Sequence, residues 1–206
     1  MRTQINDIDV AQLAAFGGAA DTITGRLSGS GTFNGGGATI ADAVAAAAGE
    51  GRVTISNGAL KRLGLVRTVV LFFGRPASGA GTSTDTFDRI DANFAIVRQV
   101  VAASALSLHS PDLDLVGQGT LTIPTKAMDG HLDLSLSEAL SAQAGTDLAR
   151  YTREGNRVVL PAVIGGTLTA PRVTIDAGAA VKRGLRNEVQ RRLKDIFGTI
   201  VPAPPD

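Results

Sequence analysis

Between Thr86 and Leu136 apolar and polar residues alternate in four successive runs, each closed by a turn signal. Ile90, Ala92, Phe94 and Ile96 share one face of the first run, and Leu106 and Leu108 share one face of the second. Leu113, Leu115, Leu121 and Ile123 follow in the third, and Leu132, Leu134 and Leu136 in the fourth. A period of two gives a strand with one apolar and one solvated face. Four such strands joined by short breaks predict an antiparallel meander.

The same pattern extends to both sides. Residues 4–10 alternate weakly as a strand, and 10–16 form a short helical patch with Asp9 as N-cap, stopped by Gly17-Gly18. From Thr22 to Phe33 the alternation is unbroken: Ile23, Leu27 and Phe33 share a face with three glycines. Those glycines permit bending or the close approach of another backbone. A helix is predicted over 38–48, a strand carrying Val53 and Ile55 over 51–60, and a second helix over 60–73. Pro76–Ser83 reads as a loop, and 138–153 as an interrupted helical insertion. Strands follow over 156–164 and 167–175. Pro161 marks the first as an edge or a bulge.

Residues 177–197 are predicted as an amphipathic helix. Val181, Leu185, Val189, Leu193, Ile196 and Phe197 make its stripe, and lysines and arginines cover the rest. Two placements fit this helix: a cap over the sheet with its cations in water, or an anionic membrane surface with Arg186, Arg191 and Arg192 at the head groups. Residues 198–206 are a proline-rich tail. The expectation is one mainly β (α+β) unit over 1–206. Its core is a curved, largely antiparallel, one-sided sheet closed by the C-terminal helix. The chain opens on what looks like the end of a strand, so it reads as a segment of a longer protein.

Composition narrows the function. The 206 residues carry a formal charge of +1, without the basic excess of a nucleic-acid binder. There is no cysteine, which removes disulfides, thiol nucleophiles and thiolate metal ligands. No apolar run reaches the roughly 20 residues that span a bilayer. No lysine precedes serine or threonine, so there is no phosphate-binding loop of the Walker type, and no serine sits in a hydrolase elbow. His109 and His131 lie on neighbouring runs, near Asp112, Asp114, Asp129 and Asp133. They read as residues of a wet sheet face rather than as a metal site. The pairs Asp7/Asp9 and Asp112/Asp114 read the same way, each as two carboxylates on one strand face. The chemistry points to a non-enzymatic protein without cofactor or metal.

A sheet with one apolar face must hide it, on another layer or as a channel for acyl chains. The candidate working surface is the inward row of Ile23, Leu27, Phe33, Val53, Ile55, Ile90, Phe94, Leu106, Leu108, Leu113, Leu115, Leu121, Ile123, Leu132, Leu134 and Leu136. The pattern by itself fits both an open trough and a closed core.

The segments ITGRLSGSGTF (23–33), GEGRVTISNGAL (49–60), TFDRIDANFAI (86–96), ALSLHSPDLDLVGQGTLTI (105–123), MDGHLDLSL (128–136) and LPAVIGGTLTAPRVTID (160–176) cover most of the chain. In order and spacing they resemble the C-terminal region of AsmA-like proteins of Gram-negative envelopes. The strand led by Phe87 and the closing hairpin with its Ile164-Gly165-Gly166 turn carry most of the likeness. The resemblance implies kinship with TamB and the bridge-like lipid transfer proteins, whose long curled sheets hold a hydrophobic groove. It implies periplasmic location, tethering to the inner membrane by an anchor that this sequence lacks, and contact with phospholipid acyl chains. The implied role is phospholipid transport between inner and outer membranes and outer-membrane homeostasis. The alternative role is a structural or assembly module that pairs with neighbouring β repeats or with partners in outer-membrane protein assembly. It implies no catalytic residues. About eight strands spaced 4.8 Å apart reach only on the order of 40 Å, too little to cross a periplasm alone.

Overall fold

A computed structural model of the chain describes residues 2–74, 84–144, 152–184 and 189. The strands are β1 (Arg2–Asp9), β2 (Ile23–Asn34), β3 (Ala48–Leu60), β4 (Asp85–Val97), β5 (Val100–His109), β6 (Leu113–Thr122), β7 (Ala127–Leu136), β8 (Arg153–Glu154), β9 (Arg157–Thr167) and β10 (Ala170–Ile175). The helices are α1 (Val10–Phe16), α2 (Ile40–Ala45), α3 (Leu65–Phe72) and α4 (Glu138–Ser141). Residues 177–184 are also helical. The sheet runs β1-β2-β3-β4-β5-β6-β7-β9-β10, with the short β8 folded onto the start of β9. Every pairing is antiparallel. The expected one-sided meander is therefore the fold.

Register turns the alternation into rows. Leu27, Ile55, Ile90, Leu108, Leu115, Leu134 and Leu160 stand directly opposite one another, one from each of seven adjacent strands. Immediately next to them, on the other face, run Arg26, Ser56, Arg89, His109, Asp114, Ser135 and Val159. A slip of one residue anywhere would exchange the two rows, so the burial of the first fixes the pairing of the whole sheet. Leu134, Leu136, Leu113 and Leu160 are essentially inaccessible. Each such leucine contributes about 1.5–3 kcal/mol by leaving water.

The sheet curls because three strands carry an extra residue. Asp7 in β1, Asn57 in β3 and Ala105 in β5 lie at such bulges with φ of +56°, +50° and +49°. A bulge bends its strand and increases the local twist. Asp7 is held there by Arg26, whose Nε donates to its carboxylate at 2.7 Å. Opposite Asn57 the alternation of β4 also slips: Asp88 and Arg89 are both exposed, whereas Asp85 and Phe87 are buried.

Aromatic rings fill the space that glycines leave on this curved face. A Cβ on Gly51 would stand 2.9 Å from the Phe94 ring, and one on Gly49 would stand 2.7 Å from Phe33. Phe33 and Phe94 stack with centroids 6.0 Å apart. The rings occupy the space beside these glycines and stiffen strands that glycine would otherwise loosen.

Helix α3 covers the apolar face. Its Leu65, Val69 and Val70 are buried against Phe87, Leu108, Leu113 and Leu136. Val181 and Val189, the described members of the C-terminal stripe, are 58% and 56% exposed. Arg183 instead reaches Asp133 at 2.7 and 2.9 Å and Glu154 at 3.2 Å. Asp133 faces away from the leucine row, so this helix begins against the outer face. Leu185, Leu193, Ile196 and Phe197 lie outside the described residues, as do Arg186, Arg191 and Arg192.

Other expectations are corrected. The predicted helix over 38–48 is only Ile40–Ala45, because β3 starts early to match the full length of β2. The helix expected from residue 60 begins at Leu65, since β3 runs to Leu60. Ile123 sits in the β6–β7 turn, where its N–H donates to the Gln99 carbonyl. Pro161 lies on an interior strand, not at an edge. Its carbonyl accepts the Asp176 N–H at 2.9 Å, just past the last residue of β10. Its missing N–H points to that same side, where the ladder has already ended, so no bond is lost. The open edges are β1 and β10.

Candidate functional site: an apolar cavity on the concave face

The leucine rows do not meet a complete second layer. Toward the ends of β4, β7 and β9 that lie under α3 they form a sealed core containing Leu113, Leu134, Leu136, Leu140 and Val158. Farther along the strands a cavity of about 370 Å³ remains. That size falls within the range of about 300–1,000 Å³ typical of small-molecule sites. Of the residues expected on the working surface, Ile23, Ile90, Leu106, Leu108, Leu115, Leu121 and Leu132 line it. Leu113, Leu134 and Leu136 belong to the core. Leu27 is buried on β2, while Val53, Phe33 and Phe94 continue the concave face toward the N-terminal strands and do not line the cavity. Ile55, half-buried, packs against the core cluster. The sequence pattern thus joined two surfaces that α3 divides.

The cavity is empty space because the middle of one cross-strand row is built from small residues. Phe94, Ala103, Gly119, Gly130 and Ile164 stand in register across five strands. Ala103 and Gly119 line the cavity directly, where a leucine at either position would fill it. Val101, Ala103, Met128, Ile164, Leu168 and Pro171 complete the walls and were not expected. Val101 and Ala103 are out of phase with Leu106 and Leu108 because the bulge at Ala105 intervenes, so simple alternation assigns them to the wrong face.

The roof is the segment from Leu60 to Leu63. Arg62 spans the opening: its Nε donates to the Asp21 carbonyl at 3.3 Å and its Nη1 to the Thr169 carbonyl at 3.4 Å. Lys126, in the β6–β7 turn, donates to the Gly18 carbonyl at 2.7 Å. These bonds tie the two ends of the meander across the concave face. Thr22 and Arg62 are the polar side chains at this face, since Gln118, Thr120 and Asp129 stand in the outer-face rows of β6 and β7; the rest of the wall is mostly aliphatic. Such a space favours an apolar ligand and offers few hydrogen-bond partners to hold water.

Asp85 positions the neighbouring helix. Gly64, at the N-cap of α3, provides no side chain. The Asp85 carboxylate replaces it from β4, accepting from Leu65 N at 2.7 Å and Val66 N at 3.1 Å. Burial pushes the Asp85 carboxyl above the usual range, and the amides of Leu65, Val66 and Gly64 pull it back only in part.

The outer face carries ion pairs and no convergent reactive set. Asp114 binds both His109 and Arg157. Burial raises its pKa, but these two partners outweigh burial and hold the carboxyl below its ordinary value. His131 pairs with Gln118, four residues along β7 from Ser135, which lies opposite Asp114. The two histidines are therefore about 13 Å apart along the strands as well as two strands apart. Among the described residues no three metal-ligating side chains converge. Nor do the paired aspartates share a face: Asp7 occupies a bulge and Asp9 caps α1 through Ala11 N at 2.8 Å. Asp112 lies in the β5–β6 turn, while Asp114 is in β6.

No model of a known protein family matches the chain, and no curated protein or solved structure matches it at a significant level.

Proposed function

We propose that this chain is an AsmA-like, non-enzymatic module of the cell envelope, and that its cavity takes a phospholipid acyl chain. The observation that carries the reading is the unfilled apolar space on the concave face, roofed by residues 60–63 and bordered by Arg62. An acyl chain supplies the missing second layer and gains by leaving water. The cation at the opening suits a head-group phosphate. On this reading the chain contributes to phospholipid transport between the inner and outer membranes and to outer-membrane homeostasis. It works in the periplasm, attached to the inner membrane through a segment outside these residues. No helix among the described residues is long and apolar enough to cross a bilayer.

The alternative is a structural or assembly module that pairs with β repeats or envelope proteins. Pro161, expected at an edge or a bulge, lies on an interior strand and offers no free edge for such pairing. The two real edges are both blunted, β1 by the bulge at Asp7 and β10 by its six-residue length and Pro171. The lipid reading is therefore the better supported. Native mass spectrometry of the purified protein tests it. Co-purified phospholipid is expected, and Ala103→Trp, which fills the cavity, lowers the bound fraction at unchanged folding. Lipid-free wild-type protein that also refuses added phospholipid refutes the reading.

A further inference from the structure

Helix α1 turns its larger side chains outward. Val10 is buried, but Leu13 is 50% exposed and Phe16 is 86% exposed, the most exposed large apolar side chain among the described residues. Three residues apart on a helix, the two form one knob. Phe16 is followed by the α1–β2 loop, which Lys126 and Arg62 grip at Gly18 and Asp21. Arg62 also joins this loop to the β9–β10 turn at Thr169. Residues 16–22, 61–63, 124–126 and 168–172 are thus one cluster. It carries Lys61, Arg62, Lys126 and Arg172 against the single carboxylate of Asp21, which is itself 3.6 Å from Lys61.

We propose that this knob docks the protein on an anionic lipid bilayer. Phe16 and Leu13 enter the interface, and the four cations meet the phosphates around them. An apolar tip inside a cationic ring is the composition that lies well at a charged membrane surface. Two side chains are too small an anchor for a stable protein interface, which needs about 800 Å² on each partner. Each cation near such a surface strengthens partition roughly fivefold. The cluster also contains Thr22, Arg62, Leu168 and Pro171 of the cavity lining, so docking would present the cavity opening to the bilayer. The inference stands on α1 and its loop, whatever the cavity holds.

Flotation with vesicles of phosphatidylcholine containing 30% phosphatidylglycerol, a composition chosen as probe (roughly a third anionic lipid), tests the proposal. Wild-type protein is expected to float with these vesicles, not with pure phosphatidylcholine, and to be released by salt. Phe16→Ser lowers partition about tenfold, as expected for one aromatic side chain returned to water. The reversal Arg172→Glu, at an exposed position off the cavity lining, lowers partition onto anionic vesicles about 25-fold, two charge units at roughly fivefold each. Both positions are on the surface, so melting temperature and co-purified lipid are expected to match wild type; the latter separates docking from the cavity's contents. Wild-type protein that stays with the soluble fraction overturns the proposal. So does a Phe16→Ser variant that floats as well as wild type, equal binding to uncharged vesicles, or a photocrosslinker at position 16 that captures protein alone.

Discussion

Replacing Asp85 by alanine tests how the sheet keeps its roof. The carboxylate accepts from two backbone amides at the start of α3, and no side chain at Gly64 can substitute. Loss of a helix cap costs about 0.5–2 kcal/mol, and a buried donor left unpaired costs about 1–3 kcal/mol. These are two views of the same loss and do not add. Removing a buried carboxylate returns part of it, because Asp85 is 9% exposed and burial already disfavours its charge. The net expectation near pH 7 is about 2 kcal/mol of destabilisation, the middle of both ranges. With a urea m value near 2 kcal/mol/M, the midpoint falls by about 1 M. The pH dependence is equally specific. A carboxyl whose folded pKa is raised contributes proton-linked stability that is fully present below its unfolded pKa of about 3.9 and is lost as pH rises through the folded value. The advantage of wild type over Asp85→Ala should therefore widen as pH falls from neutral toward about 4. Paired urea titrations across that range measure it, and the other carboxylates cancel in the difference. An unchanged midpoint at pH 7 refutes the capping argument. A difference that shrinks on acidification shows that the amides outweigh burial.

Four further outcomes follow from the packing and the outer-face charges. Gly58→Ala places a methyl group against the Phe87 ring and the Thr24 carbonyl oxygen; a loss of about 1–3 kcal/mol is expected by urea denaturation, the cost of an overpacked core. Leu134→Ala, at a fully buried position in the middle of the leucine row, should cost about 2–5 kcal/mol. Val116→Ala on the opposite face of β6 should change stability by less than about 0.5 kcal/mol. Asp114→Asn removes a carboxyl that Arg157 and His109 hold below its ordinary value. Its contribution is present above about pH 3.9 and lost as pH falls through the lower folded value, so the variant is less stable at neutral pH and loses less on acidification.

The sheet was legible because alternation survives in a single sequence. The runs led by Ile23, Ile90, Leu113 and Leu132 became strands with the expected inward faces. What was not legible depends on partners far along the chain. Ala105 breaks the phase of β5, and nothing local says that an alanine will adopt a positive φ; Asn57-Gly58, by contrast, carries a turn or bulge signal in its own residue types. Ala103 and Gly119 look like weak core positions until register stacks them into one row of small residues. Helix α3 was recognisable as a helix, but its place over the concave face depends on Asp85, capping from twenty residues away. Pro161 misled for a similar reason: its missing donor is harmless only because β10 stops one residue earlier.

The central claim is that the concave cavity holds an acyl chain. A photoreactive residue in place of Leu106, on the cavity wall, measures this most directly when compared with one in place of Val116 on the outer face. Irradiated with phospholipid vesicles, the protein should form a covalent lipid adduct from position 106 and none from position 116. Equal labelling from both positions, or none from position 106 in folded protein, would contradict the account.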